Sequence, residues 1–175
     1  MSCLSYALKG MQQECDGSVA GIKKLYIGLA KDFEATVNAS AHTIDTLSAS
    51  ANTLYEYYVT DESTSLTSTL TVNNQNGVKY YTNAIAATFV RMTPAKHLEL
   101  IALSNEKLIV IAEDNNGQSW YLGIGAAATC SEQTAQSGQA FDDLSGYQIT
   151  INQRSSALPY GIEKSLYEGK ISQSE

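Results

Sequence analysis

Two Asn-Gly pairs, each flanked by runs typical of β-strands, set the strongest limit on how this chain can fold. Asn-Gly readily adopts the positive φ angles of a two-residue hairpin turn. Asn76-Gly77 joins two strand-like runs, and Asn116-Gly117 follows Leu108–Ala112, which is apolar throughout. The two pairs therefore predict two antiparallel hairpins. The second hairpin needs apolar cover on both faces of its first strand.

The remaining runs predict a mainly β (α+β) domain, an antiparallel β-sandwich or barrel with one flanking helix. Three short strands come first and would form a β meander by residue 50. In the last strand, alternation places Tyr147, Ile149 and Ile151 on the inward face. The small and polar segment 126–139 favours a flexible loop. The strand-like runs outside the hairpins lie at residues 22–29, 32–37, 43–47 and 147–152.

The first Asn-Gly turn predicts a long hairpin that projects from the body of the domain. The run Thr64–Val72 alternates, with Leu66, Leu70 and Val72 on one face and hydroxyl side chains on the other, which predicts a half-buried strand. The return run 78–92 would reach about 50 Å at ~3.3 Å per residue, longer than a compact body of this size needs.

Three tyrosines precede this hairpin. Alternation places Tyr55 and Tyr57 on one face together with Val59, and Tyr58 on the other face with Glu56. An aromatic row of this kind predicts a surface that faces the core.

One helix is predicted at about residues 94–104. Thr93 can accept hydrogen bonds from the free amides of the first turn, Pro94 lacks only an N–H that has no helical partner, and Asn105 can end the helix in a left-handed conformation. The wide apolar stripe of the helix predicts deep burial against a sheet. The helix would then cover one face of Leu108–Ala112, and a facing sheet would cover the other.

Charge and cysteine content restrict the function. The formal net charge is −7 over 175 residues, whereas binding to nucleic acid backbones needs clustered Lys and Arg. Cys3, Cys15 and Cys130 have no CxxC spacing, which predicts reduced, structural thiols. No signal peptide and no run of ~20 apolar residues is apparent, so we expect no membrane partner and a protein made in a cytoplasm.

Neither enzymatic activity nor a cofactor or metal is predicted. His42 and His97 have no Cys or His partner at a ligand spacing, and His97 is expected at the surface. The segment 123–125 lacks the third glycine of a dinucleotide-binding motif. Asp142 and Asp143 are chain neighbours, and a calcium ion would need further carboxylates beside them.

Four stretches carry a family resemblance. They are GIKKLYI at 21–27, RMT at 91–93 before the helix, DNNGQSWYLG at 114–123 and GQAFDDLSGY at 138–147. Together they resemble structural tail proteins of tailed bacteriophages, in particular the tail-tube-like proteins of phages of Bacteroidota. The similarity spans most of residues 20–160.

The resemblance implies a virion structural protein whose copies form rings of six that stack into a tail tube, assembled in the host cytoplasm. Genomic DNA would pass through the lumen without specific binding. Tape measure, terminator and baseplate proteins would be the other partners. The small and polar residues at the start and the polar tail after Pro159 predict an N-terminal arm (1–19) and an extended C-terminal arm (158–175). The tail-tube-like domain would then span 20–157.

The resemblance also suggests which residues serve assembly. The best candidate for the projecting element is Leu54–Val90, whose assembly residues would be Tyr55, Tyr57, Tyr58, Asn76 and Gly77. The second hairpin supplies the structural turn and core candidates Asn116, Gly117 and Trp120.

Two alternatives stay open. A head-to-tail adaptor, tail terminator or baseplate protein of the same fold would form one closed ring. A soluble carbohydrate-binding module would use Trp120, Tyr121 and Tyr81 as an aromatic platform.

Overall fold

The protein is mainly β, with two sheets that form a sandwich with a half-barrel, as predicted from the sequence. The computed structural model describes residues 10–11, 17–50, 54–60 and 62–172, and within these residues it has twelve strands and two α-helices. The strands are β1 (Ile22–Leu29), β2 (Phe33–Asn38), β3 (Thr43–Ala49), β4 (Leu54–Tyr58), β5 (Ser65–Asn73), β6 (Val78–Val90), β7 (Leu108–Asp114), β8 (Ser119–Leu122), β9 (Thr129–Gln136), β10 (Gly146–Ser155), β11 (Tyr160–Gly161) and β12 (Ile171–Ser172). The helices are α1 (Pro94–Asn105) and α2 (Lys164–Tyr167).

The two sheets differ in size and connectivity. The larger has eight strands in the order β12-β4-β1-β7-β8-β11-β3-β2, and the smaller has four in the order β5-β6-β10-β9. The predicted meander of the first three strands is wrong, because β1 pairs with β4 and β7 whereas β2 and β3 form a hairpin at one end of the larger sheet. Short sequence runs predicted the strands themselves. The strands that pair with β1 come from distant parts of the chain.

Each Asn-Gly pair makes a hairpin, one in each sheet. β7 and β8 form the core hairpin, and β5 and β6 form the projecting hairpin. The projecting element was predicted to begin at Leu54, which is wrong: β4 belongs to the larger sheet, and the hairpin begins at Ser65. The sequence predicted β4 and β5 as separate runs, but it carries no signal that the two strands belong to different sheets.

An inter-sheet core joins the two sheets. It consists of residues from β1, β7 and β8 packed against residues from β6 and β10, with two residues from α1. Its fully buried members include Leu25, Val110 and Leu122 on one sheet and Ile85 and Ile151 on the other. The predicted inward face of the last strand, Tyr147, Ile149 and Ile151, is confirmed.

A second core lies on the other face of the larger sheet. Residues from strands at opposite ends of that sheet, Phe33 on β2 and Leu54 on β4, meet in one cluster with Ile109 and Ile111 of β7. The sheet therefore curves around this cluster as a half-barrel. Tyr167 of α2 closes it, with its ring centroid 5.2 Å from that of Tyr26.

The cover of β7 differs from the prediction in one respect. Leu108, Val110 and Ala112 face the inter-sheet core, whereas Ile109 and Ile111 face the second core. The facing sheet and α1 therefore lie on the same side of β7, and the curled sheet with the C-terminal segment covers the other side. Helix α1 is placed there by Gln133 of β9, whose amide donates to the Leu100 carbonyl at 2.8 Å.

Helix α1 is confirmed at its predicted position but is less buried than predicted. Thr93 caps it, since its hydroxyl accepts a hydrogen bond from the Lys96 amide at 3.3 Å. Within α1 only Leu100 and Leu103 are buried. Asn105 is its last residue, and Glu106 leaves the helix with extended backbone, so the predicted left-handed end is wrong.

Two segments predicted as irregular have regular structure. The expected loop 126–139 contains β9, whose side chains show no apolar alternation and gave no signal. The tail after Pro159 was predicted to be an extended arm, but through residue 172 it adds β11 and β12 to the larger sheet and forms α2 between them. Ile162 and Tyr167 are buried in the second core, and Lys164 lies 3.8 Å from the buried Glu113 carboxylate. Most of the predicted N-terminal arm falls outside the described residues.

Candidate assembly surface

The projecting hairpin extends beyond the rest of its sheet. Pairing of β10 with β6 stops at Tyr81, whereas pairing of β5 with β6 continues to Asn73 and Val78. In the described structure the strand residues among 71–80 therefore pair only with one another, and the Arg154 guanidinium lies 5.9 Å from the centre of the Tyr80 ring. The hairpin reverses at the predicted place, but through the four residues 74–77 rather than a two-residue turn, because Asn73 pairs with Val78. Gly77 has φ +64°, whereas Asn76 does not adopt a positive φ. The Asn73 side chain accepts from the Gln75 amide at 3.1 Å.

The inward face of this hairpin becomes more exposed from its base towards its tip. Leu66, near the base, packs against the inter-sheet core. Further out on the same face, Leu70 and Val72 are 45% and 51% exposed. The prediction of a half-buried strand therefore holds only at the base, because the core ends before the hairpin does. Lys79 stands opposite Val72 and is the single charged residue between residues 65 and 90.

The outer face of the smaller sheet is almost uncharged. Strand alternation and register bring mainly hydroxyl, amide and alanine side chains to this face. Glu132 and Arg154 are its two charged members, so the acidity of the chain lies elsewhere. By register the face consists of Ser65, Thr67, Thr69, Thr71, Asn73, Val78, Tyr80, Thr82, Ala84, Ala86, Thr88, Val90, Thr129, Glu132, Thr134, Gln136, Gln148, Thr150, Asn152 and Arg154.

Both edges of the smaller sheet have unpaired backbone groups. Over the part of the chain that the structure describes, β5 pairs only with β6, and β9 pairs only with β10. Both strands are exposed over most of their length. An edge strand of this kind presents a row of free N–H and C=O groups to a further strand. The sequence predicted β5 as a strand and 126–139 as a loop, so it indicated neither edge.

The tyrosines of β4 do not form the predicted core row. Tyr57 packs against the inter-sheet core, with its ring 6.0 Å from that of Phe89, and its hydroxyl donates to Glu99 of α1. Burial and this hydrogen bond raise the Tyr57 pKa. Tyr55 and Tyr58 are exposed, and the Lys24 ammonium lies 5.3 Å from the centre of the Tyr58 ring. Among the described residues, β4 has only the two-residue β12 on its outer side, which leaves these rings exposed.

A groove separates α1 from β1 and β4. We call it the helix groove; it is a cavity of about 370 Å³ with a mainly apolar lining. Its two charged residues are both acidic: Glu99 lies on α1, and Glu106, seven residues later, directly follows the last residue of the helix. That spacing is visible in the sequence, but the groove itself is not. The lining consists of Ile27, Gly28, Leu29, Tyr55, Tyr57, Glu99, Ala102, Leu103, Glu106 and Leu108.

The turn of the core hairpin has a structural role, as predicted. Gly117 has φ +82°, and the Asn116 side chain accepts from the Val19 amide at 2.8 Å and donates to the Val19 carbonyl at 2.9 Å. Trp120 is only partly buried and lies in neither core, so its assignment as a core residue is wrong. Its indole N–H donates to Asp114 at 3.3 Å across the same turn.

The aromatic platform of the carbohydrate-binding alternative is not formed. Tyr121 is 2% exposed and faces the second core, where burial raises its pKa to about 12. Trp120 points to the opposite face of β8, because successive side chains of a strand alternate. Tyr81 lies on β6 in the other sheet. The three rings therefore share no surface.

The described residues include no group of three or more His, Cys, Asp or Glu side chains placed to hold a metal ion. Asp143 serves its own loop: its carboxylate accepts from the amides of Ala140 and Gln139, each at 2.8 Å, and these bonds lower its pKa. Cys130 has a free thiol whose pKa is raised by burial. His97 is exposed, as predicted.

In the described ranges no helix combines the length and the apolar character that crossing a bilayer requires. No protein-family model, no curated protein and no solved structure matches the chain.

Proposed function

We propose that the protein is a structural subunit of a bacteriophage tail tube, in which rings of six copies stack and conduct genomic DNA during ejection. The observation that carries the proposal is the smaller sheet, which has two unpaired edges and a nearly uncharged outer face. The family resemblance of four sequence stretches supplies the biological setting.

Unpaired edges favour assembly between copies. The β5 edge of one copy can pair with the β9 edge of the next, which satisfies the free backbone groups of both. Two different edges of one molecule make a head-to-tail contact, and such a contact closes into a ring when the rotation between copies is suitable. A ring of this kind would place the four-stranded sheets side by side around a common axis.

The outer face of the smaller sheet suits the wall of a DNA passage. DNA adheres to proteins through clustered Lys and Arg that displace counterions from the phosphates. Arg154 is the single basic residue of this face. Hydroxyl and amide groups keep the surface hydrated without holding phosphate. In the proposal this face lines the lumen, and tape measure, terminator and baseplate proteins bind at the ends of the tube.

Electron microscopy of the concentrated, purified protein, together with light scattering, tests the proposal. Stacked rings with a central hole are the expected result. Single closed rings would instead favour an adaptor, terminator or baseplate protein, and a strict monomer at high concentration would contradict self-driven assembly.

A matched pair of variants tests the edge contact. Thr69→Lys places a charge on the exposed β5 edge and should prevent ring closure, since edge lysines oppose strand pairing. Ala41→Lys adds the same charge at an exposed turn of the larger sheet and should leave assembly unchanged. Equal assembly of the two variants would argue against the β5 edge as a contact.

A further inference from the structure

The tip of the projecting hairpin carries a small surface that no other described part of the chain covers. Leu70 and Val72 share one face, and the register places Lys79 directly opposite Val72. We call these three residues the tip face. It combines two exposed aliphatic side chains with one cation, and the remaining tip residues are uncharged.

The helix groove has the complementary character. Its floor is apolar, with Leu29, Ala102 and Leu103, and its two charged side chains, Glu99 and Glu106, are carboxylates. At about 370 Å³ it lies at the lower end of the size range of small-ligand pockets, roughly 300–1,000 Å³. That volume suits a few side chains rather than a folded segment.

The tip face cannot reach the groove of its own chain. Tyr57 lines the groove and packs against Phe89 of β6. The tip lies eleven residues further along the same strand, at Val78, which is about 36 Å at ~3.3 Å per residue. The β5–β6 register is unbroken from Ser65 to Asn73, so the hairpin does not fold back.

We propose that the tip face of one copy docks in the helix groove of a second copy, with Leu70 and Val72 over the apolar floor and Lys79 beside Glu106. This contact joins two different surfaces of the same chain, so it repeats from copy to copy. The inference rests on the proposed function in that it supplies the contact between successive rings, whereas the sheet edges close each ring.

A charge exchange tests the contact. Lys79→Glu and Glu106→Lys should each raise the protein concentration needed for stacking about fivefold or more, because each places like charges together. The double variant restores opposite charges and should return to within twofold of the wild type. Lys23→Glu, an exposed lysine outside the groove lining, makes the same change of net charge as Lys79→Glu and serves as the control.

Removing the aliphatic groups provides a second test. Leu70→Ser with Val72→Ser should abolish stacking while single rings persist, and circular dichroism and urea unfolding should match the wild type because both residues are exposed. Mixing this variant with Glu106→Lys should produce joined pairs of rings that do not extend, since each partner keeps one intact surface.

The outcomes separate this inference from the proposed function. Tubes that form as readily from Leu70→Ser/Val72→Ser as from the wild type would overturn the tip contact while leaving the tail-tube proposal intact. Chains or fibres without rings that respond to the charge exchange would support the tip contact and contradict the tail tube. A wild type that stays monomeric would overturn both.

Discussion

The two hairpins share a turn sequence but have opposite surroundings. In the core hairpin, β7 is buried on both faces up to Glu113. In the projecting hairpin, β5 has no fully buried residue, and its end lies beyond the rest of the sheet. Both turn at Asn-Gly with the glycine at positive φ. Local turn chemistry therefore fixes where a hairpin reverses, whereas the strand residues decide whether it is covered.

Substitution of one aliphatic residue in each hairpin should give the largest difference. Ile111→Ala opens a cavity in the second core and should lower the free energy of unfolding by about 2–5 kcal/mol. Leu70→Ala, at the exposed tip, should change it by less than about 0.5 kcal/mol. Urea denaturation of the unassembled protein measures both. Equal losses would mean that the tip is covered within the monomer.

The glycines of the two turns offer a more sensitive comparison. An added Cβ meets no atom within 4 Å at either Gly77 or Gly117, so only backbone strain of about 1–2 kcal/mol distinguishes alanine from glycine. Gly117→Ala should lower global stability by that amount, because its turn is bonded to Val19 and flanked by buried strands. Gly77→Ala should lower it less, since a two-stranded tip can open locally.

Amide hydrogen exchange checks the second half of this prediction. In Gly77→Ala, the amides of residues 71–80 should exchange faster while those of β7 and β10 keep their wild-type rates. Faster exchange throughout the inter-sheet core would show that the tip unfolds with the domain rather than separately.

The sequence predicted the local elements well because their signals are local. Asn-Gly turns, the Thr93-Pro94 start of α1 and the alternation at Tyr147, Ile149 and Ile151 each depend on a few adjacent residues. The fold class follows from these elements. The pairing of β1 with β4 and β7 was not predictable, because these strands are far apart in the chain and local sequence patterns do not indicate which strands pair.

The candidate surface was only partly predictable for a related reason. Alternation at Leu66, Leu70 and Val72 is uniform, yet only the first of these lies over the core. The inward face of β9 has alanine, amide and thiol side chains, so β9 resembles a loop. The helix groove exists because α1, β1 and β4 meet in the fold, and no single segment encodes it.

Alkaline pH should lower the stability of the core hairpin, because Tyr121 of β8 is buried in the folded protein. Burial raises its folded-state pKa to about 12 from the ordinary 10.0, so the unfolded chain loses this proton first. The stabilising contribution is complete below pH 10 and decreases as pH rises towards 12. At pH 11 it should have fallen by about 1.4 kcal/mol relative to pH 8.

Comparison of wild type with Tyr121→Phe at both pH values measures this contribution. The variant should lose less stability between pH 8 and pH 11, because the ionisable hydroxyl is absent. Part of the loss should remain, since burial also raises the pKa values of Tyr26, Tyr57 and Tyr167. Identical losses in both proteins would mean that Tyr121 ionises equally in the folded and unfolded states.

The smallest expected difference concerns the side chains that close the turns. Asp114 accepts from the amides of Asn116 and Gln118, each at 2.9 Å, and from the Trp120 indole, whereas Asn73 accepts from Gln75 and Asn76 at 3.1 and 3.3 Å. Asp114→Ala should therefore lower the free energy of unfolding by about 1 kcal/mol, and Asn73→Ala by a few tenths. Urea unfolding with tryptophan fluorescence follows both. A larger loss in Asn73→Ala would show that the projecting turn, despite its exposure, stabilises the whole domain.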